Sequence, residues 1–159
     1  MIDALADLEN HQLIKLFLAT ARVFCMFVTR DIDGKICILY GLRRTGKTTL
    51  LFQMISELPV EQTAYIKMKT TDNMSKLSKD LEILRKNGCK YVFIDEITLM
   101  EDFINTAAVL SDIFAMMGMK IVVSGTDSLG FAMANRNELY DRSVTIHTSF
   151  IPFREYSRL

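Results

Sequence analysis

Two prolines and seven glycines in 159 residues, half of them hydrophobic, argue against a disordered or low-complexity chain. An excess of one charge sign is missing too. Nineteen acidic side chains meet nineteen basic ones, so no overall attraction to nucleic acid or a membrane surface follows. Cysteine is sparse: Cys25, Cys37 and Cys89 have no metal-ligand spacing, and three thiols suit a reducing compartment better than a disulfide scaffold. No apolar run approaches the length of a membrane span. Asp3, Asp7 and Glu9 interrupt the start of the chain, so no signal peptide is expected. The expectation is a soluble cytoplasmic protein without a membrane partner. His11 and His147 have no acid or nucleophile partner visible in sequence. Ten methionines read as filling for core and helix faces. Repeats and linkers are also lacking, and the length is that of one domain.

What is present begins with Gly41-Leu42-Arg43-Arg44-Thr45-Gly46-Lys47-Thr48, a complete G-x-x-x-x-G-K-[ST] loop of the Walker A type. Before it, Lys35–Tyr40 is a short apolar run that reads as a buried strand. After it, Thr49–Ile55 reads as the opening of a helix. The first N–H groups of a helix have no intrahelical partner and lie at the positive end of its dipole, so such a unit binds phosphate. Lys47 supplies a mobile cation for the outer phosphates, and the Thr48 hydroxyl is placed to ligate magnesium. The candidate nucleotide contacts are Gly41, Arg44, Thr45, Gly46, Lys47, Thr48 and Thr49, with Lys47 also catalytic. Arg43 and Arg44 raise the local positive potential.

Hydrophobic periodicity organises the rest. A helix is expected over 4–28, with Phe24-Cys25-Met26-Phe27-Val28 also readable as a strand, then a turn at Asp31–Gly34. Strands are expected at 35–40, 63–68, 91–94, 120–123 and 143–147. Between them stand helices at 47–57, along the stripe Met74, Leu77, Leu81 and Leu84, and over 101–117, with a short helical stretch near 128–134. Asp72 or Asn73 is available to cap the second of these, and Asn87-Gly88 closes it. Alternation of this kind implies an α/β protein with a five-stranded, mostly parallel sheet and helices on both faces.

The second motif is Tyr91-Val92-Phe93-Ile94-Asp95-Glu96. Four apolar residues place Asp95 at the carboxyl end of a buried strand, the edge where open α/β sheets bind ligands. Asp95 can hold Mg²⁺ opposite Thr48, making these two the candidate metal residues. Glu96 is then placed to orient and deprotonate an attacking water. Together they form a Walker B type motif.

These residues resemble the AAA+ branch of P-loop ATPases, and more narrowly bacterial and archaeal AAA-domain ATPases with Arg-Arg in the loop. The resemblance spans roughly residues 36–156. It includes Ser124-Gly125-Thr126-Asp127-Ser128, Asp141-Arg142 and the closing segment Ile151-Pro152-Phe153-Arg154-Glu155-Tyr156. It implies a three-layer P-loop fold of the AAA+ type, with 1–34 as a lead-in and 35–156 as the core. It implies ATP or ADP with Mg²⁺ as cofactors. It also implies a γ-phosphate-sensing polar side chain at Ser124 or Thr126, and an arginine finger at Arg142 acting on its own or a neighbouring subunit. Arg136 is a weaker candidate. Asp141 departs from the family, which usually has glycine there. The family also usually continues into a lid and often a winged-helix or nuclease-like region. Neither occurs within residues 1–159, so a lidless core with slow turnover is expected. Homo-oligomerisation, and a protein or DNA partner engaged through the missing region, complete that picture.

The leading reading is a Mg-dependent ATPase that couples nucleotide state to a conformational change. A nucleotide-gated interaction module with negligible turnover and a P-loop small-molecule kinase are the alternatives. A small-molecule kinase would add an arginine-rich lid, and none stands between the third and fifth strands. A GTP switch fits poorly. Asp127-Ser128-Leu129-Gly130 spells D-x-x-G, but it follows the fourth strand and no Asn-Lys-x-Asp occurs.

Overall fold

Five strands pair in one sheet in the computed structural model, which describes residues 34–126, 130 and 139–148. The described elements are β1 (Ile36–Gly41), α1 (Lys47–Ser56), β2 (Thr63–Lys67), α2 (Met74–Lys86), β3 (Tyr91–Asp95), α3 (Phe103–Val109), β4 (Lys120–Gly125) and β5 (Ser143–Thr148). The strand order is β2-β3-β4-β1-β5, and every pairing is parallel. All strand carboxyl ends therefore share one edge, and β4 lies between the two strands that carry the sequence motifs.

Alternate residues of the central strands divide between two apolar layers, as the two-residue period of a strand requires. Ile36, Ile38, Val92, Ile94, Ile121 and Val123 pack with Leu77 and Leu81 of α2 and with Leu110 and Phe114 beyond α3. Cys37, Leu39, Phe93 and Val122 pack with Leu50, Leu51 and Met54 of α1. The near-continuous burial of β1, β3 and β4 is that of strands covered on both faces. α1 thereby lies across β1, β4 and β3, which carries its first turn to the carboxyl end of β3.

Two local expectations are resolved. Asn73, not Asp72, caps α2: its side chain accepts from the Lys76 N–H at 3.0 Å. Asp72 instead accepts from the Lys69 N–H at 2.9 Å and pairs with Lys76 Nζ at 2.7 Å. The helix expected over 101–117 is α-helical only over Phe103–Val109 and continues as a wider π turn, Leu110–Ala115. In that turn Leu110, Ser111, Phe114 and Ala115 are all buried. Ser111 is drawn inward because its hydroxyl donates to the Gly34 carbonyl at 2.7 Å. The expected helix over 4–28 and the closing segment 151–156 lie outside the described residues, as does nearly all of the stretch 128–134. Among the described residues, no helix is long and apolar enough to cross a membrane.

Candidate active site

The loop leaves β1 at Gly41 and enters α1 through Gly46, which has φ 85°. No side chain caps α1, and its first turn holds no acidic residue. The first i→i−4 bond of α1 runs from the Leu50 N–H to the Gly46 carbonyl at 2.9 Å, so the N–H groups before Leu50 form an anion cradle at the positive dipole end. Gly41 passes Thr148 at the end of β5 so closely that an added β-carbon would overlap the Thr148 carbonyl oxygen and hydroxyl. Thr148 Oγ1 lies 2.7 Å from Thr45 Oγ1 and donates to the Tyr40 carbonyl at 3.2 Å. Thr45 also donates to the Leu42 carbonyl at 2.8 Å. The last strand thus braces the first loop. Arg43, Arg44 and Thr49 are exposed around it.

Lys47 is buried, and its ammonium donates to the carbonyls of Gly41 and Leu42 at 2.9 and 2.7 Å. Burial holds its pKa below the ordinary lysine value. The negative charges of Glu96 and Asp95 partly oppose that, and Arg43 reinforces it. A desolvated cation whose partners among the described residues are carbonyls is suited to an incoming phosphate.

Asp95 ends β3 with 1% of its surface exposed. Its carboxylate collects three hydroxyls. Oδ2 accepts from Thr48 Oγ1 at 2.9 Å and from the Tyr65 hydroxyl at 2.8 Å, and Oδ1 accepts from Ser124 Oγ. Ser124, fully buried at the end of β4, in turn accepts from the Glu96 N–H at 3.1 Å. Glu96 has a left-handed backbone, φ 59°, a conformation that costs a non-glycine residue about 1–2 kcal/mol. The Ser124 contact helps hold it, and the chain then turns away into a short helical turn, Ile97–Leu99. Tyr65 is pushed up to about 12, first by burial, then by its bond to Asp95 and the charges of Asp95 and Glu96, so it remains a donor at neutral pH.

The residue types fit a Mg-nucleotide. The cradle is positive, and Thr48 and Asp95 present hard oxygens 2.9 Å apart of the kind magnesium takes. Among the described residues no three His, Cys, Asp or Glu side chains converge on one point. An ion here would therefore rely on this pair together with phosphate oxygens and water, as magnesium commonly does.

Lys47, Thr48, Asp95, Glu96 and Ser124 are thus brought to one edge. Thr126 stands one turn away, with its N–H donating to Thr98 Oγ1 at 3.2 Å. Arg142 is not with them. It precedes β5, its carbonyl accepts from the Ile36 N–H at 3.0 Å, and its Nε donates to Asp112 Oδ1 at 2.7 Å. The six-residue run from Ile36 to Gly41 spans roughly 17 Å, so Arg142 sits at the amino edge. The expectation that it reaches a phosphate of its own subunit is corrected by that distance. Asp141 adopts φ 63°, which accounts for glycine in the resembled family; aspartate tolerates this region better than most residues. Arg136 lies outside the described residues. His147 is exposed and packs 5.1 Å from the Tyr40 ring. Tyr65 went unmarked in the sequence reading. No motif names it, and only the β2–β3 register, with Tyr65 beside Phe93, brings it to Asp95.

The family model described as "AAA domain" matches residues 33–157. No curated protein matches the chain. Among solved structures, the chain resembles the Drosophila ORC bound to GC-rich DNA and Cdc6, with 10% identity and a TM-score of 0.61, covering 94% of this chain and 63% of that one. It also resembles C. elegans PCH-2, with 14% identity and a TM-score of 0.53, covering 94% of this chain and 48% of that one. The chain thus spans under two thirds of the length of these structures, and at such identity the likeness is one of fold.

Proposed function

The chain belongs to the AAA domain family, and on that premise we propose that it binds Mg-ATP and hydrolyses the β–γ bond. The observation that carries this reading is the 2.9 Å bond from Thr48 to Asp95. It joins the phosphate loop to the acidic strand end across 47 positions of sequence. The N–H groups at the start of α1 hold the phosphates, and Lys47 offsets charge on the β- and γ-phosphate oxygens. Thr48 and Asp95 would hold Mg²⁺, which when bound would further neutralise the phosphate oxygens. Glu96 accepts a proton from the attacking water. Ser124 keeps Asp95 and the backbone of Glu96 in register.

Arg142 lies at the opposite edge of its own sheet, and we assign its action to a neighbouring copy of the chain. An arginine supplied in trans contributes about 10³–10⁵ in rate, so dilute protein hydrolyses slowly. One neighbour is described as bound to DNA. For this chain a formal charge of zero gives DNA no general attraction, and the first partner proposed is a second copy of itself. Steady-state phosphate release, measured with Mg²⁺ and with EDTA across protein concentrations, tests the reading. Mg-dependent turnover per chain that rises with concentration is expected. Tight nucleotide binding with no phosphate release would instead favour the nucleotide-gated module.

A further inference from the structure

Asp95 is bound on three sides, and two of its donors, Ser124 and Tyr65, belong to neither motif. A carboxylate offers about four lone-pair directions. Thr48 and Tyr65 take both of those on Oδ2, and Ser124 takes one on Oδ1. One direction, on Oδ1, has no partner among the described residues. The Tyr65 hydroxyl has no other acceptor among the described residues. Its ring is seated against Phe52 of α1, with centroids 4.9 Å apart and planes at 35°. The ring therefore comes from the edge strand, leans on the loop-borne helix, and ends on the strand-end carboxylate.

We propose that Tyr65 is a positioning residue for the metal carboxylate, fixing the Asp95 side chain beside Thr48 so that it is held ready for Mg²⁺ or a magnesium-bound water. This rests on the reading of Asp95 as the magnesium residue. The physical reason is that a buried carboxylate with an unfilled lone pair rotates to find a donor, because the unmade bond is costly. Thr48 cannot serve as the sole anchor of Oδ2, since its hydroxyl is shared with the metal role. Tyr65 has no second duty and holds the carboxylate through a charge-assisted bond.

Tyr65→Phe tests this, because it keeps the ring against Phe52 and removes only the hydroxyl. The probe is a fluorescent ADP analogue titrated with MgCl₂, alongside the affinity for the same analogue in EDTA. The expected result is a Mg²⁺ half-point raised roughly 10-fold, the low end for loss of a metal-supporting contact, with metal-free affinity held within about twofold. p-Aminophenylalanine at position 65 restores a donor at the same reach and is expected to bring the half-point back. An unchanged half-point, an equal loss of affinity in EDTA, failure of that rescue, or a Tyr65→Phe chain that does not fold would each overturn the assignment. A wild-type chain whose nucleotide binding ignores Mg²⁺ overturns instead the reading of Asp95 on which it rests.

Discussion

Gly41 and Thr148 share a space that admits no β-carbon: one placed on Gly41 would overlap the Thr148 backbone carbonyl. The loop can approach β5 this closely because its first residue has no side chain, and its φ of 154° lies where L-residues rarely go. Gly41→Ala is expected to destabilise the fold by about 1–3 kcal/mol and to weaken nucleotide binding by displacing Thr45 from Thr148. Thermal melting and an ADP-analogue titration check the two effects separately.

Lys47→Ala removes the one buried cation at the cradle among the described residues. A hydrogen bond to a charged group contributes about 1.5–3 kcal/mol, so affinity for ATP is expected to fall by roughly 10–100-fold. Because the ammonium is desolvated and meets carbonyls alone among the described residues, removing it should cost the ligand-free fold little. Calorimetric titration with ATP, paired with ligand-free melting, separates binding from stability. Equal affinities would remove the loop from the mechanism.

Glu96→Gln should keep bound nucleotide and lose about 10²–10⁴ in turnover, the usual contribution of a general base. Single-turnover hydrolysis on preloaded protein measures it. Wild-type rates would make Glu96 merely the residue that turns the chain out of β3.

Arg142→Ala and Glu96→Gln fail for different reasons if the arginine serves the next subunit. Each is expected to be nearly inactive alone. Mixed, they form contacts in which a Glu96-bearing site meets an Arg142-bearing neighbour, and phosphate release should recover in part. Recovery absent at every mixing ratio and concentration would place the role of Arg142 in its pairing with Asp112.

Burial pushes the Cys37 thiol from 9.0 up to about 12. Above the lower value the unfolded chain releases a proton that the native state retains. The stability this group contributes is therefore present below pH 9.0 and is lost as pH rises toward 12. Melting temperatures should fall across that interval, and Cys37→Ala should flatten the decline. Tyr65, also raised to about 12, accounts for a remaining slope. A decline unchanged by Cys37→Ala would show that the thiol is not protected in the native state.

The strand–loop–helix unit and the acidic strand end were legible because each is a contiguous signal with local physics. Apolar runs set β1 and β3, and the loop glycines and lysine have fixed spacing. The alternation of elements likewise announced a parallel sheet. What sequence did not reveal depends on distant partners. The inward turn of Ser111 needs the Gly34 carbonyl 77 positions away. The choice of Asn73 over Asp72 as cap turned on which side chain Lys69 and Lys76 engage. Tyr65 meets Asp95 only through a register with β3, and Arg142 loses its expected reach because the parallel pairing of β5 with β1 sets the residue before β5 at the amino edge.

The placement of β4 between β1 and β3 also dictates when the site can come into being. β1 emerges before both of its sheet neighbours, β4 and β5, which come from beyond residue 119. Until they arrive, the loop-bearing strand has two bare edges and Asp95 lacks Ser124. Such long-range pairing slows folding and leaves unpaired strand edges open to misassembly. A ribosome-bound chain stopped before β4 should therefore be aggregation-prone and unable to retain nucleotide, however complete its loop. The nucleotide, once it can bind, favours the finished sheet by mass action, so the ligand of the mature protein also acts as the last participant in its folding.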